Sequence, residues 1–122
     1  MIDKKLMKKA EGGNADAQIE IGFKYREGEG VDKDYKKAFQ WSMKSAKQGH
    51  PRAQCNVGYL YSEGKGVDKD YEKAFEWSMK SAKQEYPNAQ LNVGKMFNQG
   101  KGVGKDSEKA FEWYMKAAKQ ED

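Results

Sequence analysis

Apolar residues recur in the second half of three similar segments, at positions that cover more than one stripe of a helix. Residues 35–48 carry Ala38, Phe39, Trp41, Met43 and Ala46, and residues 71–84 repeat this set. A helix that is apolar over so wide an arc packs on two sides. The pattern predicts helices over about 35–48, 71–84 and 107–120, here called helix B, with the first two lying between neighbouring repeats.

These segments belong to a longer repeat. Residues 28–48 match residues 64–84 at 18 of 21 positions, and residues 100–120 form a third copy, each shifted by 36 residues from the one before. A unit of this size cannot bury its apolar surface alone, but stacked units bury it against one another. The repeat therefore predicts a solenoid.

A second helix, here called helix A, is predicted at the start of each repeat, over about 15–27, 51–63 and 87–99. Two copies begin with proline, which suits the first helical position: Pro51 and Pro87. A glycine follows each copy where a left-handed residue ends a helix: Gly28, Gly64 and Gly100. Aspartates stand where they can cap each helix B: Asp34, Asp70 and Asp106.

The repeat carries Ala-Gln-x-x-x-Gly-x-x-Tyr, then Gly-x-Gly-Val-x-x-Asp, Lys-Ala-Phe-x-Trp and Lys-x-Ala. In the first copy these are Ala17, Gln18, Gly22, Tyr25, Gly28, Gly30, Val31, Asp34, Lys37, Ala38, Phe39, Trp41, Lys44 and Ala46. The motif resembles the Sel1-like repeat, a relative of the tetratricopeptide repeat. The resemblance implies an all-α fold, a right-handed α-solenoid of three helix-turn-helix repeats. It also implies a protein–protein adaptor with a concave binding face.

We expect the whole chain, residues 1–122, to be one repeat domain. A partial N-terminal helix or cap takes residues 1–13, because LMKKAEGG resembles the end of a helix B. The three repeats then occupy 14–49, 50–85 and 86–122.

Composition narrows the class of partner. The chain has 23 basic and 19 acidic residues, interleaved along its length, for a net charge of +4. Such a mixture is typical of solvated helix faces, whereas nucleic-acid binding calls for basic residues gathered into a stripe. No apolar window approaches the roughly 18 residues of a membrane span, and the charged start does not resemble a signal peptide. We predict a cytoplasmic protein whose partner is neither nucleic acid nor membrane.

Catalytic and metal-binding chemistry is poorly represented. His50 and Cys55 are the only residues of their types, which leaves no His/Cys metal cluster and no Ser-His-Asp arrangement. Cys55 aligns with Ile19 and Leu91, so it is predicted to be a buried, unreactive thiol. His50 precedes Pro51, where a loop or weak capping role is expected. We predict no enzyme activity, no cofactor and no metal.

The resemblance also supplies an alternative function. Some bacterial members of the family have a pair of cysteines in every repeat, are exported, and are associated with β-lactam binding or weak hydrolysis. The single Cys55 of this chain departs from that pattern.

The copies of helix A differ far more than those of helix B, and the differing positions lie on one arc of a helical wheel. Since helix A lines the inner surface of tetratricopeptide-like stacks, we predict that this arc, here called the helix A strip, holds a protein or peptide. The alternative is that the copies drifted apart because a solvent face is unconstrained. We expect Tyr59 and Leu60 to contribute most to affinity, and Glu20, Arg52 and Lys95 to tune specificity. The predicted strip comprises Asp16, Glu20, Phe23, Lys24, Glu27, Arg52, Asn56, Tyr59, Leu60, Glu63, Asn88, Asn92, Lys95, Met96 and Gln99.

The third repeat departs from the other two: Ser107 replaces a tyrosine and Tyr114 replaces a serine. With no further helix in the sequence, Phe111, Trp113 or Tyr114 is predicted to be partly uncovered. This end is expected to stay open unless it docks onto a second copy or onto the partner, so we expect a monomer, or a dimer formed through this last repeat. Alternatively, the chain is a segment of a longer repeat array.

Overall fold

The computed structural model describes residues 1–120, which form seven α-helices and no strand. The helices are α1 (Lys4–Glu11), α2 (Ala15–Glu27), α3 (Tyr35–Lys47), α4 (Pro51–Glu63), α5 (Tyr71–Lys83), α6 (Pro87–Gln99) and α7 (Ser107–Lys119). Each packs against its neighbours in the chain, from α1 to α7. The described chain is therefore an all-α, tetratricopeptide-like solenoid. Helix A corresponds to α2, α4 and α6, and helix B to α3, α5 and α7.

The predicted caps delimit these helices. The Asn14 carboxamide accepts a hydrogen bond from the Ala17 N–H at 2.8 Å. The aspartates that precede each helix B accept from the backbone three residues later, each at 3.0 Å. Gly28 ends α2 in the left-handed conformation, with φ of 71°, and its equivalents Gly64 and Gly100 do the same. The predicted bounds of helix A are confirmed, and those of helix B are confirmed to within one residue.

His50 does act as a cap. Its Nδ1 accepts from the Ala53 N–H at 3.4 Å, while its Nε2 lies 2.8 Å from a carboxylate oxygen of Asp16 in the preceding helix A. Tyr86, at the equivalent place in the third repeat, makes no side-chain capping bond.

A buried glutamine near the start of each helix A joins neighbouring repeats. Gln54 donates through Nε2 to the Ala46 carbonyl of the preceding helix B, at 3.3 Å, and accepts from Gln84 of its own helix B at 2.9 Å. The same pair of bonds is made at Gln18 and at Gln90. The shared Ala-Gln of the motif is thus a packing element, with the amide satisfied on both sides.

Aromatic rings connect the repeats through the core. Phe39 of α3 meets Tyr61 of α4 edge to face, with ring centroids 5.3 Å apart, and Phe75 meets Phe97 in the same way one repeat later. Each helix B therefore covers the helix A that follows it. The equivalent ring of α7, Phe111, is 64% exposed, and Met115 beside it is 42% exposed, which confirms the partly uncovered last helix.

Candidate functional site

The helices A of all three repeats line a groove composed of two adjoining hollows. The first, of about 450 Å³, is lined by Phe23, Arg26, Arg52, Cys55, Asn56, Tyr59, Tyr86, Asn88, Leu91, Asn92 and Lys95. The second, of about 460 Å³, includes Gly58, Tyr59, Ser62, Glu63, Lys69, Tyr71, Ser78, Asn92, Lys95, Met96, Gln99 and Lys101. Tyr59, Asn92 and Lys95 belong to both, so the hollows are continuous. We call the two together the helix A groove.

Most of the predicted strip is accessible. Eight of its side chains are exposed: Asp16, Glu20, Glu27, Arg52, Glu63, Asn88, Lys95 and Gln99. Four are half-buried: Phe23, Lys24, Tyr59 and Asn92. Ten strip residues line the groove: Phe23, Arg52, Asn56, Tyr59, Glu63, Asn88, Asn92, Lys95, Met96 and Gln99.

Three strip residues are not surface residues. Leu60 is fully buried, and Asn56 and Met96 are only 3% and 8% exposed. The prediction that Leu60 offers an exposed recognition side chain is therefore wrong. Helix A packs against its own helix B and against the preceding one, so its buried arc is wider than half of the wheel. The apolar character of Leu60 and Met96 reflects packing in the core.

Asn56 has a structural role as well. Its Nδ2 donates to the Ser42 hydroxyl at 2.8 Å, and its Oδ1 accepts from Arg26 at 2.5 Å. The carboxamide thus anchors the guanidinium of Arg26, which the strip did not include. Arg26 also lies 3.3 Å from a carboxylate oxygen of Glu27.

Arg26 could have been found from the sequence. It aligns with Ser62 and Asn98, so its position differs among the repeats as much as those of the predicted strip. The accessible arc of helix A therefore extends to Arg26 on one side and excludes Leu60 on the other.

Aromatic rings and cations alternate through the groove. The Arg52 guanidinium carbon lies 4.1 Å from the centre of the Phe23 ring. The Arg26 carbon lies 5.4 Å from the same ring and 4.2 Å from that of Tyr59. Lys65 then donates to the Tyr59 hydroxyl at 2.9 Å. These cation–π contacts stabilise the arrangement of rings and cations along the groove.

The hydrogen bond to the Tyr59 hydroxyl raises the pKa of Lys65 above its ordinary value. Because that ordinary value already lies far above neutral pH, Lys65 is a positive charge beside the groove.

Cys55 faces the first hollow from below but is only 9% exposed. Burial raises its pKa to about 11, against smaller opposing effects of the Arg26 charge and of a hydrogen bond from Asn92. The prediction of a buried cysteine is confirmed, and its thiol is protonated at neutral pH.

Within residues 1–120, no group of three or more His, Cys, Asp or Glu side chains is placed to hold a metal ion. In the same part of the chain, no helix is both long and apolar enough to cross a membrane.

The Sel1 repeat matches residues 15–50, 51–86 and 87–122, which is most of the chain. The chain therefore belongs to the Sel1 repeat family, whose members are helical scaffolds that commonly bind other proteins. No curated protein matches it.

Solved structures agree with this family. A protective antigen of uropathogenic Escherichia coli with an SLR fold is 38% identical, with a TM-score of 0.93 over 96% of this chain, which spans 25% of that protein. A Sel1 repeat protein of Oxalobacter formigenes is 37% identical, with a TM-score of 0.85, covering 97% of this chain and 89% of that one. Cysteine rich protein B of Helicobacter pylori, at 24% identity and a TM-score of 0.76 over 100% of this chain and 92% of that one, shares the fold.

Proposed function

We propose that the chain is a protein-interaction module that holds a peptide segment of another protein in the helix A groove. The observation that supports this most directly is the groove itself, because helix A of every repeat contributes accessible side chains to it. Aromatic residues set among amides and charges are typical of recognition surfaces. An adaptor, a scaffold or a neutralising partner of a toxin or enzyme could each use such a groove.

Tyr59 is central to the proposal. It lies in the middle repeat, lines both hollows and is half-buried between Arg26 and Lys65. A rigid aromatic side chain in the centre of a groove is the kind of residue that dominates binding energy. Because Leu60 and Met96 are buried, Phe23 and Tyr59 are the strip's accessible large apolar side chains.

The experiment is a selection of linear 12-residue random peptides on the immobilised chain, followed by titration of the selected peptides against variants. We expect Tyr59→Ala to weaken them by at least about 2 kcal/mol. Lys44→Ala is the matched control, because Lys44 is exposed on helix B and rests on Trp41. Circular dichroism first shows that each variant is folded.

Peptides that bind Tyr59→Ala normally but lose affinity for Phe111→Ala contradict the proposal, since they locate binding at the last helix. Nothing in residues 1–120 specifically favours the β-lactam alternative, which a nitrocefin assay tests directly.

We also propose a cytoplasmic location. The support is that the one cysteine, Cys55, is a free and buried thiol, as suits a reducing compartment. Fractionation of source cells with an antibody to the chain tests this proposal.

A further inference from the structure

The helix A groove is much more basic than the rest of the chain. Five cationic side chains line it, Arg26, Arg52, Lys69, Lys95 and Lys101, against one acidic side chain, Glu63. The whole sequence, by comparison, has 23 basic and 19 acidic residues. A concave surface with one sign of charge focuses its field into the groove. An anionic ligand is therefore favoured there.

Little of this charge is neutralised within the protein. Among residues 1–120 the ion pairs are Arg26 with Glu27 and His50 with Asp16. The other four cations of the groove are in no ion pair in that part of the chain. Their charge remains available to a ligand.

Arg52 is the best placed of these groups. Its guanidinium carbon lies over the Phe23 ring, 4.1 Å from the ring centre, and its N–H groups are in no ion pair among residues 1–120. A planar guanidinium held in this way presents two parallel donors, the geometry that a carboxylate accepts. Arg26, in contrast, already donates to Asn56.

The stability of the helix does not account for Arg52. It is the second residue of α4, and a positive charge in the first turn opposes the helix dipole. Of the equivalent residues in the other repeats, Asp16 is negatively charged, which the helix dipole favours, and Asn88 is uncharged. At the edge of the groove, this arginine lies where an anionic ligand would supply the partner that its own helix does not.

We propose that the helix A groove recognises an acidic, extended peptide segment of the partner, with one carboxylate paired to Arg52 and a second near Lys95. This inference rests on the proposed function and adds the chemistry of the partner. Asn88 and Asn92, which line the same hollow, supply amides for the peptide main chain. A nucleic acid is the poorer fit, because Phe23 and Tyr59 are already stacked by arginines and offer their faces less readily to bases.

The test uses the 12-residue random peptide library on the full chain. We expect the selected peptides to be at least about threefold enriched in Asp and Glu over the starting library. Their affinity should fall about tenfold in Arg52→Ala, as for loss of a charged hydrogen bond, and further in Arg52→Glu. Raising the salt concentration should weaken binding to the wild type more than to Arg52→Ala. Lys44→Ala, which removes one positive charge from an exposed position of helix B outside the groove, should bind normally.

The outcomes separate the two proposals. Peptides that need Tyr59 but are not acidic, and that bind Arg52→Ala normally, overturn the acidic partner while leaving the peptide-binding function intact. A selection that yields no peptide dependent on Tyr59 overturns both. A 12-nucleotide oligouridine that binds more tightly than the selected peptides, and displaces them, overturns the acidic peptide in favour of RNA.

Discussion

A Cβ atom on Gly66 would lie 2.1 Å from the carbonyl oxygen of Tyr35, which begins helix B of the preceding repeat. The loop after α4 thus packs directly on the backbone of α3, without room for a side chain. Gly102 approaches Tyr71 in the same way, also at 2.1 Å. The second glycine of each loop is therefore an inter-repeat contact as well as a turn residue.

We expect Gly66→Ala to destabilise the fold by about 2–4 kcal/mol, the sum of left-handed strain and a forced backbone displacement. Gly30→Ala is the matched control. Gly30 has nearly the same φ, 77° against 74°, but its Cβ would meet only Met1 at 3.5 Å. Gly30→Ala should lower the free energy of unfolding by about 1 kcal/mol, from backbone strain alone. Urea denaturation measures both, and equal losses would show that the loop does not pack as described.

Much of the fold could be predicted because the same helix-turn-helix pattern occurs three times in the sequence. Asp34 and Gly28, with their equivalents, mark the helix ends through local chemistry that needs no knowledge of the tertiary structure. The contact between Gly66 and Tyr35 could not be predicted in this way, since it depends on how one repeat sits against the next.

The candidate site was harder to predict for the same reason. A wheel of helix A shows which residues share an arc, but the width of the buried arc depends on the two helices B that flank it. The wheel therefore predicts Leu60 on the surface although it is fully buried. It leaves Arg26 out of the strip although its guanidinium lies over the Tyr59 ring.

Gln54 tests whether the buried amides hold the repeats together. Gln54→Leu keeps the size of the side chain but removes its bonds to the Ala46 carbonyl and to Gln84. We expect Gln54→Leu to lower the free energy of unfolding by about 1–2 kcal/mol, because each such hydrogen bond contributes about 1 kcal/mol. Gln40→Leu, on the exposed face of α3, should change stability by less than about 0.5 kcal/mol. The measurement is the midpoint of chemical denaturation of each variant. Equal midpoints for Gln54→Leu and Gln40→Leu would show that the Gln54 hydrogen bonds do not stabilise the contact between repeats.

The uncovered last helix gives a comparison between two equivalent phenylalanines. Phe75 packs edge to face on Phe97, so Phe75→Ala should cost about 3 kcal/mol. Phe111 is 64% exposed, so Phe111→Ala should cost less than about 0.5 kcal/mol. Thermal unfolding at two protein concentrations provides the measurement. A large, concentration-dependent loss in Phe111→Ala would instead show that a second copy covers this helix, as in the dimer that we expect as the alternative to a monomer.

Cys55 should react with thiol reagents much more slowly in the native state than in denaturant. Because burial raises its pKa to about 11, the native labelling rate should keep rising with pH up to about 11, whereas in the unfolded chain it should level off near the ordinary value of 9.0. Folding favours the protonated thiol, so its contribution to stability is complete below pH 9 and is lost as the pH rises towards about 11. The difference in unfolding free energy between the native chain and Cys55→Ala, which does not titrate there, isolates this contribution.

Arg26→Gln tests whether the Arg26 charge acts on the thiol across the groove. Because that charge lowers the pKa of Cys55, removing it should raise the pKa further. Rapid native labelling at pH 8 would mean that the floor of the first hollow is open to solvent.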